Sequence, residues 1–410
     1  MMLDAARVAV LLTALSLPFS TAGTNVFMLA AVLFWALSAQ WRLTARSISR
    51  EPAAWLGCLL FGMLLLGTTW SLGTRAEAFD TALKYRELFL FGIVMSLFTE
   101  ERWRHRLLWI LFGAAVVLLG ASYAIHFGLI ETAQTYQRAL QGAVVLKSSI
   151  THSFIMALLS FAALVVASRL QGWGRWLVLL VALLAAANVL IAIKGRTGYI
   201  ILAVLLLWLA ARRWSARGMV AGMLAAGIAV VAAYQFSPTF QARIDSTGGE
   251  AQARGGDPAY NSIAQRVHYW KRSLEMASAH PMAGIGTGGW AEAFRASAAG
   301  DHPFFRDRIH KHPHNEYLFL AAQLGIGGLI LFIAMFAAAF VTGGTRPEPE
   351  RTLARGVVIA FAVGCLFNDF LLDSTEGHLW AVLGGALFGA ARQHSSRLAP
   401  AHARASASGL

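Results

Sequence analysis

Charge is scarce in this 410-residue chain: 13% of its residues are Asp, Glu, Lys or Arg, and 57% are hydrophobic. A soluble domain needs roughly a quarter of its residues charged, so an ordinary soluble protein is excluded. There are two cysteines, Cys58 and Cys365, both inside apolar runs, so no disulfide framework is expected. The chain has no Asp-x-Asp pair, no His-Glu-x-x-His motif and no nucleophile-elbow pattern. The familiar signals of metal-dependent and serine-type chemistry are therefore missing. No repeat with a convincing period is present. Basic residues exceed acidic ones, giving a net charge of +13, but they are scattered between apolar runs. That distribution points to anionic lipid or a pyrophosphate-bearing substrate, with no nucleic acid partner.

Apolar stretches of about 18–22 residues recur, long enough to cross a hydrocarbon core of about 30 Å as helices. The expected fold is an all-α integral membrane protein with twelve transmembrane helices and one large outer loop containing helices. The spans fall near 4–20, 22–39, 53–71, 80–98, 107–127, 149–168, 174–193, 197–211, 218–236, 314–341, 354–371 and 377–392. The first run, Ala5–Phe19, lacks a convincing cleavage site and reads as the first span rather than a signal peptide. The organisation expected is residues 1–236 as spans one to nine, 237–312 as the loop, 313–392 as spans ten to twelve, and 393–410 as a cytoplasmic tail. With the N-terminus inside, the inner connections are rich in arginine, for example Arg42, Arg46 and Arg50, then Arg102, Arg104 and Arg106. The short outer connections carry few basic residues, which sets the orientation by the positive-inside rule. The large loop and both flanking turns then face away from the cytoplasm.

Basic residues that remain on the outside are informative. Lys84 and Arg86 head the fourth span; Arg138 and Lys147 flank the fifth and sixth. Lys194 and Arg196 occupy the tight turn Ile193-Lys194-Gly195-Arg196-Thr197-Gly198-Tyr199, where two glycines would let backbone and guanidinium approach a phosphate. In the loop, a helix is expected over Asn261–Ser278. Its apolar stripe is Ile263, Val267, Trp270 and Leu274, suited to resting on the bilayer or the bundle, with Arg266, Tyr269 and Ser273 on a neighbouring strip. Arg272 and His268 are expected to face water. The glycines of Pro281-Met282-Ala283-Gly284-Ile285-Gly286 could cradle phosphate or simply form a turn.

The chain centres on His310-Lys311-His312-Pro313-His314-Asn315-Glu316, where the hydrophilic loop meets an apolar run. A helix beginning at Pro313 would place His314 where the helix terminus disfavours imidazolium, leaving a neutral base. On a helix, His312 and His314 would point about 200° apart and could not easily share an ion, so no metal is expected. Arg196 and Arg266 can hold a pyrophosphate bidentately, and His314 can take a proton from an incoming hydroxyl. Glycosyl transfer from a polyprenyl-pyrophosphate sugar needs these three functions.

His314-Asn315 followed by Gly325-x-x-Gly328 resembles the signature of O-antigen ligases. The basic turn at 194–198, the Arg266 helix and Pro281-x-x-Gly284-x-Gly286 resemble the wider family of O-antigen ligases and polymerases. The likeness spans about residues 190–340 in motifs and nearly the whole chain in hydropathy. It implies a bacterial inner-membrane glycosyltransferase of the C class, with both termini cytoplasmic and a periplasmic active site. Such an enzyme moves O-antigen from undecaprenyl pyrophosphate to a sugar hydroxyl of lipid A-core, with inversion and without metal, ATP or other cofactor. By position, the family's essential histidine falls on His314 and its arginines on Arg196 and Arg266. His312, Lys84, Arg86, Lys194, Arg138, Lys147, Arg308, Lys311 and Asn315 are further substrate-binding candidates.

Three other readings compete. A polymerase would use the same donor with a growing glycan as acceptor. A protein O-oligosaccharyltransferase usually carries a further C-terminal domain, and about 18 residues follow the last expected span. A transporter would hold charge at mid-membrane on interrupted helices, whereas ionisable groups here gather at the outer edge. Asp369 and Asp373 fit either a transport role or an outer loop.

Overall fold

The computed structural model describes residues 1–130, 142–193, 195–213, 262–308 and 310–389. The expected span at 218–236, most of the turn-rich start of the loop, the tail, Arg138 and Lys194 lie outside the described residues. Within them the protein is all-helical, with one isolated bridge between Gly142 and Ile193.

The helices are α1 (Met2–Ser16), α2 (Thr21–Leu37), α3 (Trp41–Arg50), α4 (Pro52–Gly67), α5 (Arg75–Lys84) and α6 (Glu87–Leu97). Next come α7 (Glu101–His126), α8 (Ser149–Ala167), α9 (Gly172–Ala187) and α10 (Arg196–Arg213). The loop contributes α11 (Ser262–Ala279), α12 (Trp290–Ser297) and α13 (Pro303–Arg306). The last are α14 (Glu316–Gly343), α15 (Glu350–Gly364), α16 (Ser374–Leu379) and α17 (Gly385–Phe388). Among the described residues five helical stretches are long and apolar enough to cross a membrane alone: Pro52–Trp70, Glu101–His126, Ser149–Ala167, Gly172–Ala192 and Glu316–Gly343. A sixth is reached if α2 and α3, bent by 108°, form one broken span.

Two departures from the expected spans have clear causes. The run at 80–98 is two helices, because α5 has its own start in a capping box between Thr74 and Glu77 and stops at the buried Tyr85. The arginine-rich connection 42–50 is itself the helix α3, with Trp41 and Leu43 exposed and Thr44 tied to Ser96 at 2.8 Å. A helix apolar on one edge and arginine-rich on the other suits a membrane surface.

The core gathers around Trp380, whose ring lies 5.4 Å from Phe91, 5.3 Å from Phe336 and 5.1 Å from Phe361. It joins α6, α14 and α15 into one block. At about 1.5 Å per residue, the 28 residues of α14 extend roughly 42 Å, more than a bilayer core needs.

That helix is broken at Gly325, where φ is 67° and ψ −162°. The break frees the Ala322 and Gln323 carbonyls and the Ile326 N–H from their in-helix partners. All three are met by the glycine turn: Ile285 N donates to Ala322 O at 2.9 Å, Gly286 N to Gln323 O at 3.0 Å, and Ile326 N to Pro281 O at 2.8 Å. A side chain at Gly284 would bring its Cβ to 2.3 Å from the Gln323 carbonyl carbon. The turn reading of 281–286 is thus the correct one, and these N–H groups are not a phosphate cradle. Irregular backbone near a bilayer persists only where protein satisfies it, as here.

Candidate functional site

The helix α14 starts at Glu316, two residues after His314, and not at Pro313. Asn315 is its N-cap: its Oδ1 accepts from Leu318 N at 3.1 Å and its side chain is buried. Asn315 is therefore a structural cap, which corrects the expectation that it contacts substrate. His314 sits just outside the helix in the left-handed region, with φ at 55°. Few non-glycine residues adopt that conformation, and surrounding contacts must hold it there.

Those contacts come from two sides. On one, α11 clamps the segment: Trp270 Nε1 donates to Pro313 O at 3.1 Å, and the Tyr269 hydroxyl meets His310 Nδ1 at 2.8 Å. The inward face of α11 is Tyr269, Ser273 and Met276, while Val267 and Leu274 are exposed. The expected stripe thus does not pack on the bundle at those two positions. His268 and Arg272, expected to face water, are half-buried and share Asp301, at 3.0 Å and 2.6 Å.

On the other side, Glu316 pins the segment to the 365–373 loop. Its backbone N donates to Cys365 O at 2.8 Å, and its Oε2 accepts from Leu371 N at 2.8 Å. The fastening brings Asn368, Asp369 and Asp373 beside the two histidines. His312 Nδ1 lies 2.6 Å from Asp369 Oδ2, and His314 Nδ1 lies 3.0 Å from Asn368 Oδ1. Asn368 Nδ2 donates to Asp373 Oδ2 at 2.8 Å, which turns the Asn368 oxygen toward His314. Facing an acceptor, His314 Nδ1 must carry the proton, and the neutral ring then presents Nε2 as a free base.

The adjacent imidazoles, 4.5 Å between centroids, are driven apart electrostatically. Burial lowers the pKa of His314 below the usual imidazole value, and the charges of His312 and Arg266 push the same way. Burial also opposes charging of His312, but the hydrogen bond and charge of Asp369, with Asp373 behind it, outweigh that and raise its pKa. One ring is thus biased to neutral base and its neighbour to cation, a pairing characteristic of acid–base sites.

Ligand atoms of His312, His314 and Asp369 lie within 4.8 Å of one another, close enough to hold an ion. The helical argument that these histidines diverge fails, because neither belongs to the helix. The donor set nevertheless fits a metal poorly as arranged. Both Nδ1 atoms are occupied by hydrogen bonds, and Asp369 Oδ2 is committed to His312.

Arg196 and Arg266 are drawn to the same side through α11. Arg196, the first residue of α10, reaches Ser262 Oγ at 3.4 Å; Arg266 lies one turn beyond Ser262 and its charge is felt at His314. Arg86, Lys84, Lys311 and His312 line a cleft of about 310 Å³ with Asp373 and Trp290. Within it Lys84 pairs with Asp80 at 2.8 Å and Arg86 with Asn25 at 2.8 Å. Lys147, bonded to Thr21 at 2.6 Å, and Arg308, over the Phe304 ring at 4.7 Å, do not line it.

Asn368 was not singled out from sequence, and Asp369 and Asp373 received no role at the site. The available signal was a polar Asn-Asp pair closing an apolar run, 54 residues from His314, with nothing local to join the two. A family model described as O-antigen ligase matches residues 180–333, a stretch that holds Arg196, Arg266 and His314. The motif-based resemblance is borne out there. No curated protein matches the chain.

Proposed function

Because residues 180–333 carry an O-antigen ligase domain, we propose that this chain transfers O-antigen polysaccharide from undecaprenyl pyrophosphate to a sugar hydroxyl of lipid A-core. The reaction takes place on the periplasmic face of the bacterial inner membrane. Twelve spans with cytoplasmic termini and a periplasmic loop at 237–312 are the topology that goes with it. The observation that carries the reading is the Asn368 oxygen at 3.0 Å from His314 Nδ1, which leaves Nε2 as the base.

In the reaction, His314 Nε2 takes the proton of the acceptor hydroxyl as its oxygen attacks the anomeric carbon. The bond from that carbon to the pyrophosphate oxygen breaks on the opposite face, so the configuration inverts. Arg196 and Arg266 stabilise the charge that develops on the departing undecaprenyl pyrophosphate. His312, held as a cation by Asp369, keeps a positive charge beside the reacting centre. The His314 proton then passes to water. No step calls for a metal or cofactor, because the donor already carries its leaving group.

The test is reconstitution of purified protein with undecaprenyl-pyrophosphate-linked O-antigen and lipid A-core. The wild type is expected to yield lipid A-core bearing a polysaccharide ladder, while His314→Ala and Arg196→Ala, folded normally, yield none. Lengthening of the lipid-linked glycan without modified lipid A-core would identify a polymerase instead.

A further inference from the structure

A second cavity, of about 990 Å³, lies at the far end of the bundle from His314. Its rim includes Thr345, Pro347 and Glu350, which join the end of α14 to the start of α15; His314 and Asn368 lie at the other ends of the same two helices. The wall is apolar, with Leu108 and Phe112 of α7, Leu158 and Ala162 of α8, Val357 of α15, and Leu387 of α17. Two of those helices, α7 and α8, are long and apolar enough to span a membrane. The volume is at the upper end of the roughly 300–1,000 Å³ typical of ligand pockets.

The charged end of this cavity holds an unmet pair. Arg104 and Glu350 both line it and both are 8% exposed. They stand 3.6 Å apart, and Arg104 Nη1 is bonded to Thr99 O at 2.7 Å. Arg104 Nε and Glu350 Oε2 are buried without a hydrogen-bond partner. A buried donor and a buried acceptor left open side by side are costly unless a ligand or water meets them. A ligand meeting both must offer an acceptor for Arg104 and a donor for Glu350, and an apolar body for the wall.

We propose that this cavity holds an acyl chain of an aminophospholipid, with the lipid phosphate on Arg104 and its ammonium on Glu350. A polyprenyl tail has no charged group to place at this end. An anionic phospholipid offers no ammonium to Glu350 and meets Glu100, Glu101 and Glu348 on the same rim. The site is independent of glycosyl transfer; only its assignment to the cytoplasmic leaflet rests on the orientation proposed above.

The full chain, released from membranes mixing phosphatidylethanolamine and phosphatidylglycerol, would be weighed by native mass spectrometry. One retained phosphatidylethanolamine is expected, and Leu158→Trp, which fills the wall, is expected to lose it. Glu350→Gln is expected to lower the preference over phosphatidylglycerol about tenfold, as befits one hydrogen bond to a charged group. A second measurement needs no substitution: phosphatidylethanolamine bearing a photoreactive acyl chain should label residues 108–112 and 155–162. Equal retention of the two lipids, a polyprenyl mass in place of phospholipid, or label spread evenly over the outer helices would overturn the proposal.

Discussion

Asn368 holds His314 by its Nδ1 at 3.0 Å, and is itself held by Asp373 at 2.8 Å. The chain Asp373–Asn368–His314 has the logic of any oriented catalytic histidine: the outer groups choose the tautomer, and the tautomer chooses the base. Removing the base should cost more than removing its orienting group. His314→Ala is expected to lower kcat by about 10²–10⁴, the usual contribution of general base catalysis. Asn368→Leu keeps the ring but frees its tautomer, and is expected to lower kcat by about 10–100-fold with KM for both substrates little changed. Steady-state kinetics on the reconstituted system separates the two; an Asn368→Leu enzyme with wild-type kcat would rule out the orienting role.

Acidity supplies a check that loss of structure would not imitate. The imidazolium of His314 cannot accept a proton, so activity should fall as pH drops through its pKa, which lies below the usual 6.5 because of burial and nearby positive charge. Asn368→Asp puts a carboxylate against Nδ1–H and stabilises the imidazolium. The acid limb of the kcat/KM profile should therefore move to higher pH in that variant. A limb that stays in place would mean that another group is the base.

The neighbouring ring predicts the opposite trend in stability. The pKa of His312 is raised in the folded protein, through Asp369 and Asp373 overcoming burial. Its contribution to stability is then fully present below the unfolded value of about 6.5, and is lost as pH rises through the raised value. Thermal unfolding in detergent should show the wild type losing its advantage over Asp369→Asn across that window. A constant difference between the two from about pH 5 to 9 would refute the ion pair.

How much of this could be read from the residues alone depends on how local each signal was. The α11 helix, expected over Asn261–Ser278 and found over Ser262–Ala279, was legible because apolar and basic positions recur at helical spacing. His314 was legible because histidine beside proline at the foot of an apolar run is unusual. Its partners were not, since Asn368 and Asp373 reach it only after Glu316 has fastened two distant segments, its carboxylate meeting Leu371 across 55 residues. The break between α5 and α6 was hidden for a different reason: Tyr85 and Arg86 sit in a run whose average hydropathy reads as one span. The role of the glycine turn depended on a long-range partner as well, because only the freed carbonyls at Gly325 reveal what its N–H groups bind.

Metal dependence can be decided directly. With Nδ1 of both histidines and Asp369 Oδ2 already hydrogen-bonded, the wild type should keep its rate after prolonged treatment with excess chelator. Recovery of lost activity by one divalent ion, with Asp369→Asn no longer recovering, would convert the His312–His314–Asp369 cluster into a metal site.

The glycine turn makes the last prediction, because it separates stability from chemistry. Gly284 has φ at 64° and faces the Gln323 carbonyl so closely that any Cβ collides with backbone. Gly327, two residues past the break in α14, has a different neighbourhood: a Cβ there would meet only the flexible end of Met63, at 3.5 Å. Left-handed backbone alone costs a side chain about 1–3 kcal/mol, and the collision adds to it. Gly284→Ala should thus lower the unfolding temperature and the yield of folded protein, while Gly327→Ala leaves both near wild type. Because the turn satisfies the carbonyls that Gly325 exposes, opening it loosens the first turns of α14, and with them the segment that carries His314. Folded Gly284→Ala is therefore expected to show reduced kcat as well, even though Gly284 touches neither histidine. If the variant proved as stable and as active as the wild type, the turn would not be what holds the broken helix in register.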